Sequence, residues 1–123
     1  MNYLFRVQLY VHDIEKSVLF YETIIGLKLY KRSEHAARFN HDQFSLLLAN
    51  DYTLNENHYF YNRKEMKGNG FELIIVVDRL EDVYERCKEK GCKIQEEIQT
   101  YSWETRGFKV VDPDGYFLRI TSE

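Results

Sequence analysis

The run Val7-Gln8-Leu9-Tyr10-Val11 alternates apolar and polar positions with a period of two, the pattern of a strand with one buried face, and it stops at Asp13. Glu72-Leu73-Ile74-Ile75-Val76-Val77 is a second strand-like run, and it stops at Asp78, 65 positions after Asp13. The likeness continues: Gly26 follows Asp13 at the same spacing as Gly91 follows Asp78. Between those markers, Ile14, Val18, Tyr21 and Ile25, and then Leu80, Val83, Tyr84 and Cys87, recur at helical spacing. Each helix therefore has one apolar face to lay on a sheet. Asp13 and Asp78 suit the N-cap, Glu81 would complete a capping box with Asp78, and each glycine supplies the left-handed residue that ends a helix.

Short strands are expected after each helix: 28–31, 37–40 and 44–49 in the first half, then 93–95, 108–111 and 116–121 in the second. Asp112-Pro113-Asp114-Gly115 marks a turn between the last two. The chain thus reads as an internal duplication of a βαβββ module, of α+β class. One domain of residues 1–123 is expected, with module 1 at 1–50, a polar linker at 51–69 and module 2 at 70–123. Tyr52, Tyr59, Phe60 and Tyr61 of the linker are placed to fold over a pocket or to pack half-buried on the surface.

Composition narrows the function classes. The 123 residues, 44% hydrophobic and 30% charged, suffice for a core without disulfides or metals. A formal charge of −3 argues against nucleic acid as a partner. No stretch has the length and hydropathy of a membrane span and the N-terminus has no signal-like run, so a cytoplasmic protein is expected. Cys87 and Cys92 fit no zinc or redox spacing and read as reduced thiols. His12, His35, His41 and His58 show no paired ligand spacing. No Ser-His-Asp or Cys-His arrangement and no glycine-rich phosphate loop is evident.

Several signposts in order carry a resemblance: Val11-His12-Asp13 with Ser17, Phe20-Tyr21 and Gly26-Leu27; Val76-Val77-Asp78 with Gly91; Trp103 with Arg106-Gly107-Phe108; and Asp112-Pro113-Asp114-Gly115-Tyr116. Together they resemble the vicinal oxygen chelate superfamily of glyoxalases, extradiol dioxygenases, fosfomycin-resistance enzymes and bleomycin-resistance proteins. The resemblance covers nearly the whole chain. It implies a cup-shaped sheet with helices outside, and a homodimer. It also implies that enzymes of the family hold a divalent metal at positions that here, by counting from Asp13, Asp78 and Asp114-Gly115, read Arg6, Phe71 and Arg119. Neither guanidinium nor phenyl can ligate a divalent ion in the normal way, so no metal or other cofactor is expected.

The alternation turns Arg6, Gln8 and Tyr10 to the face opposite the helix, and Phe117 and Arg119 likewise, with Phe71, Leu73 and Ile75 beside them. The expected ligand-binding set is therefore Arg6, Gln8, Phe71, Leu73, Trp103, Phe117 and Arg119. Two guanidinium groups would take an anionic group of a planar organic molecule, with Phe71 and Trp103 stacking on its flat part. An alternative pairs each arginine with a carboxylate such as Glu72 or Glu104, with Trp103 packing under its loop. The function this points to is binding of a small organic molecule without metal or chemistry, as in drug sequestration, though two inward arginines count against basic bleomycin. The competing class is a metal-dependent lyase, isomerase or dioxygenase with atypical ligands.

Overall fold

The structure is a computed structural model that describes residues 1–63 and 66–122. Lys64 and Glu65, within the expected linker, and the terminal Glu123 lie outside the described residues. The chain divides into two compact units, Met1–Glu65 and Met66–Glu123.

In the first unit, β1 (Phe5–Val11) leads into α1 (Ile14–Val18), which continues as a π-helical segment, Leu19–Ile25. Three strands follow: β2 (Leu29–Arg32), β3 (Ala36–His41) and β4 (Phe44–Asn50). They form a sheet of order β1-β4-β3-β2 in which β1 runs parallel to β4. Asp13 caps the helix as expected, its carboxylate accepting from the amides of Glu15 and Lys16. A second cap comes from the end of the neighbouring strand β4, where the Asn50 Oδ1 accepts the Ile14 amide at 2.9 Å. Leu9, Val11, Phe39, Leu46 and Leu48 bury the sheet face beneath Ile14, Val18, Tyr21 and Ile25.

The second unit holds β5 (Glu72–Val76), α2 (Leu80–Glu89), β6 (Lys93–Thr100), β7 (Arg106–Val111) and β8 (Phe117–Thr121), with sheet order β5-β8-β7-β6. Its core is Leu73, Leu80, Val83, Cys87, Phe108, Val110, Leu118 and Ile120. Gly107 lets β7 lie close to β8, since a Cβ there would meet the Ile120 carbonyl oxygen at 2.6 Å. The βαβββ order and the α+β class are thus present in both halves.

Three expectations change. First, the linker is not a plain connection: Asp51–Thr53 forms a 3-10 turn, and His58 and Phe60 pack on Tyr10 of β1, with Tyr10 Oη 3.0 Å from His58 Nε2. His58 Nδ1 accepts the Phe60 amide, which leaves the proton on Nε2 to be donated to Tyr10. Second, Asp78 does not cap α2. The N-cap is Arg79, without a side-chain bond, and Glu81 pairs with Arg106 instead of closing a capping box.

Third, the two halves align with a different offset. The helices begin at Ile14 and Leu80, 66 positions apart, whereas their terminal glycines are 65 apart. The first helix therefore holds one residue more, and the wide π turn takes it up. With the 66-residue offset, Val7 pairing with Leu46 corresponds to Leu73 pairing with Leu118. Leu73 and Ile75 accordingly face the helix with Leu118 and Ile120, and Glu72, Ile74 and Val76 face the other way. This reverses the expectation for Leu73, which is a core residue at 7% exposure. The residue equivalent to Arg6 is then Glu72 rather than Phe71.

Candidate functional site

On the second unit, the sheet face away from α2 carries alternating charges across neighbouring strands. Glu72 and Ile74 come from β5, Phe117 and Arg119 from β8, and Lys109 and Val111 from β7. Ile74 and Lys109 both stand in register with Arg119. Glu96 of β6 joins them through a bulge, because the pairing passes from Ile94–Val110 to Glu96–Lys109 with one extra residue on β6. Arg119 Nε lies 3.4 Å from a Glu72 carboxylate oxygen, and Lys109 Nζ lies 3.6 Å from Glu96.

An aromatic shelf closes one side of this face. Tyr101 and Trp103 stack with ring centroids 4.7 Å apart and planes within 7°. The Arg119 guanidinium sits 5.3 Å from the Trp103 centroid and 5.7 Å from that of Tyr101, in cation–π range of both. The Tyr101 hydroxyl donates to Glu96 at 3.2 Å. Burial, and next the bond to Glu96, push the Tyr101 phenol above its ordinary pKa, so it remains a donor at neutral pH.

The contact between Arg119 and Glu72 is an ion pair without hydrogen-bond geometry at Nε. That nitrogen is shielded from solvent and has no acceptor among the described residues. A buried N–H left unsatisfied is unfavourable by about 1–3 kcal/mol. Next to this face lies an open depression of about 870 Å³, lined among others by Phe71, Glu72, Lys93 and Phe117.

Of the expected binding residues, the structure brings Trp103 and Arg119 into contact and puts Phe117 on the same face. Phe71 is 39% exposed and packs edge-on against Tyr116, so it lines the depression and is not stacked beside Arg119. Leu73 lies on the opposite, buried face. Arg6 and Gln8 stand on the corresponding face of the first unit, where both are exposed. The Gln8 amide makes long contacts of 3.4 Å to the Leu9 and Leu47 carbonyls. Tyr101, Lys109 and Glu96 were missed as site residues. Only the bulge in β6 brings Glu96 to this face, and nothing in the sequence marks it.

The same fold and order of elements recur in known proteins. The family model described as the Glyoxalase/Bleomycin resistance protein/Dioxygenase superfamily matches residues 3–120. The chain belongs to this superfamily. A curated relative in Synechocystis sp., named probable lactoylglutathione lyase, is 28% identical over 96% of this chain and 93% of its own length. Among solved structures, a glyoxalase-related enzyme from Fulvimarina pelagi superposes with a TM-score of 0.83 at 18% identity, covering all of this chain and 89% of its own. A lactoylglutathione lyase from Agrobacterium tumefaciens gives 0.72 at 13% identity, over 99% and 94% of the two chains. These structural likenesses show the glyoxalase/bleomycin-resistance fold.

Metal binding in this superfamily needs lone-pair donors free to converge. Among the described residues, no group of three or more His, Cys, Asp and Glu side chains comes together. Glu72 and Glu96, the carboxylates of the charged face, each already face a cation. These residues do not fit a divalent ion. No helix among the described residues is long and apolar enough to cross a membrane.

Proposed function

We propose that this superfamily member binds a planar organic anion without a metal, on the face formed by Arg119, Trp103, Tyr101 and Phe117. The observation that carries the reading is the partly exposed Arg119 side chain, its guanidinium held 5.3 Å from the ring centroid of Trp103 in an exposed aromatic shelf. An anionic oxygen of the ligand pairs with the accessible part of the guanidinium, and the ring of the ligand extends over Trp103, which is 57% exposed. Glu72 holds the guanidinium in place while the site is empty. The expected setting is a cytoplasmic homodimer that sequesters a small molecule, such as a drug, without transforming it.

The test is titration with aromatic carboxylates followed through the fluorescence of Trp103, the only tryptophan. Saturable quenching that is lost in Arg119→Ala supports the reading; no binding, or binding unchanged in that variant, overturns it.

A second reading is a metal-dependent lyase, favoured by the name of the Synechocystis relative and by the carboxylate at the position equivalent to Arg6. Metal analysis of the purified protein separates the two. Stoichiometric Zn, Ni, Mn or Fe, lost in Glu72→Ala, would favour the lyase.

A further inference from the structure

The end of α2 is closed by two backbone hydrogen bonds, from the Cys92 amide to the Cys87 carbonyl at 2.9 Å and from the Gly91 amide to the Lys88 carbonyl at 3.1 Å. Gly91 between them takes φ +67°. This is a Schellman termination, in which the side chains on either side of the longer bond are brought together and commonly make an apolar contact. Here both positions are cysteine, so the termination brings two thiols to the same place. Their exposure differs: Cys87 is fully buried and Cys92 is partly accessible.

We propose that Cys87 and Cys92 are a reversible disulfide pair that responds to small-molecule disulfides such as oxidised glutathione. The Cys92 thiolate attacks one sulfur of the oxidant and expels a glutathione thiolate, leaving a mixed disulfide on Cys92. Cys87 then attacks the Cys92 sulfur and passes its proton to the departing glutathione sulfur, which leaves as the second glutathione thiol. Two protein thiols are oxidised to one disulfide while one glutathione disulfide is reduced to two thiols. Because Cys87 is enclosed, the pair closes within one chain and does not link two. Burial keeps both thiols protonated at neutral pH, so closure is slow there and accelerates in alkali. The closed bond ties the last turn of α2 to the residue just before β6, the strand that carries Glu96.

The experiment equilibrates the full chain in glutathione buffers from fully reduced to fully oxidised, then alkylates after denaturation and measures intact mass. The expected product is one species lighter by two hydrogen masses, with no alkylated cysteine, restored by dithiothreitol. Cys87→Ser, checked for native circular dichroism, should instead stop as a glutathione adduct at Cys92. Two alkylatable thiols in wild type under the most oxidising buffer would overturn the proposal. A persistent adduct on wild-type Cys92, or a disulfide-linked pair of chains, would do the same.

Discussion

Glu72 lies 3.4 Å from Arg119, near enough to hold its charge, while the shielded Arg119 Nε–H has no acceptor among the described residues. The two residues come from adjacent parallel strands, two residues out of register on the same face, since Arg119 is opposite Ile74 and Glu72 opposite Phe117. That diagonal keeps the ion pair together but makes the angle poor. The proposed ligand anion would compete with Glu72 for this guanidinium.

Replacing Glu72 by Gln removes the competing carboxylate and keeps a similar shape. Stability should change by no more than about 1 kcal/mol, as for other partly exposed ion pairs. Affinity for an aromatic carboxylate should rise about threefold or more, on the scale of a fraction of such a pair, and that for the matching neutral amide should not. Fluorescence titration of both ligands against both proteins checks it.

Gly107→Ala should destabilise the fold by about 1–3 kcal/mol, the usual range for overpacking. The new methyl group would meet backbone at the Ile120 oxygen and also press on Thr121 and on Tyr101 at 3.0 Å. Urea unfolding measures the loss. Because the shelf rests on this glycine, Trp103 emission should shift in the folded variant as well.

Asn50→Ala should cost about 1–3 kcal/mol, because Asn50 is 2% exposed and its loss leaves the first amide of α1 without an acceptor in the core. Asp13→Ala, which removes the exposed cap of the same helix, should cost about 1 kcal/mol. Chemical denaturation of the two variants side by side tests whether the cap supplied by the sheet outweighs the local one.

Burial pushes the Cys87 thiol up to about 12 from 9.0. The folded state therefore retains a proton that the unfolded chain releases above pH 9, and the resulting stability is complete below that pH and lost toward pH 12. Urea midpoints should fall between pH 9 and pH 11, and less steeply in Cys87→Ala. Tyr101 is shifted in the same direction, so the difference between the two proteins isolates the thiol.

Much of the architecture could be read from periodicity, because alternation in Val7–Val11 and helical spacing in Leu80–Cys87 reflect burial directly. The second strand was another matter. Leu73-Ile74-Ile75-Val76-Val77 is apolar throughout, so alternation cannot say which side is buried, and the face had to be inferred from an alignment. That alignment was anchored on Asp78, a better cap than Arg79 by residue type, although Arg79 holds the position. The extra residue in the first helix then made the spacings from aspartate to glycine agree by coincidence. The same slip put Phe71 where Glu72 belongs and turned Leu73 outward. Arg119 was placed on this face because β8 alternates clearly and its Pro-Asp-Gly turn fixes the count.

Adding one residue to a strand would turn every later side chain to the wrong face, exchanging core for surface along its length. The π segment at Leu19–Ile25 shows where this chain absorbs such a change without that penalty. The two halves have been able to drift apart in length through a helix while both sheets kept their inside and outside. Odd-numbered insertions and deletions should be tolerated in that turn and rejected in the strands on either side.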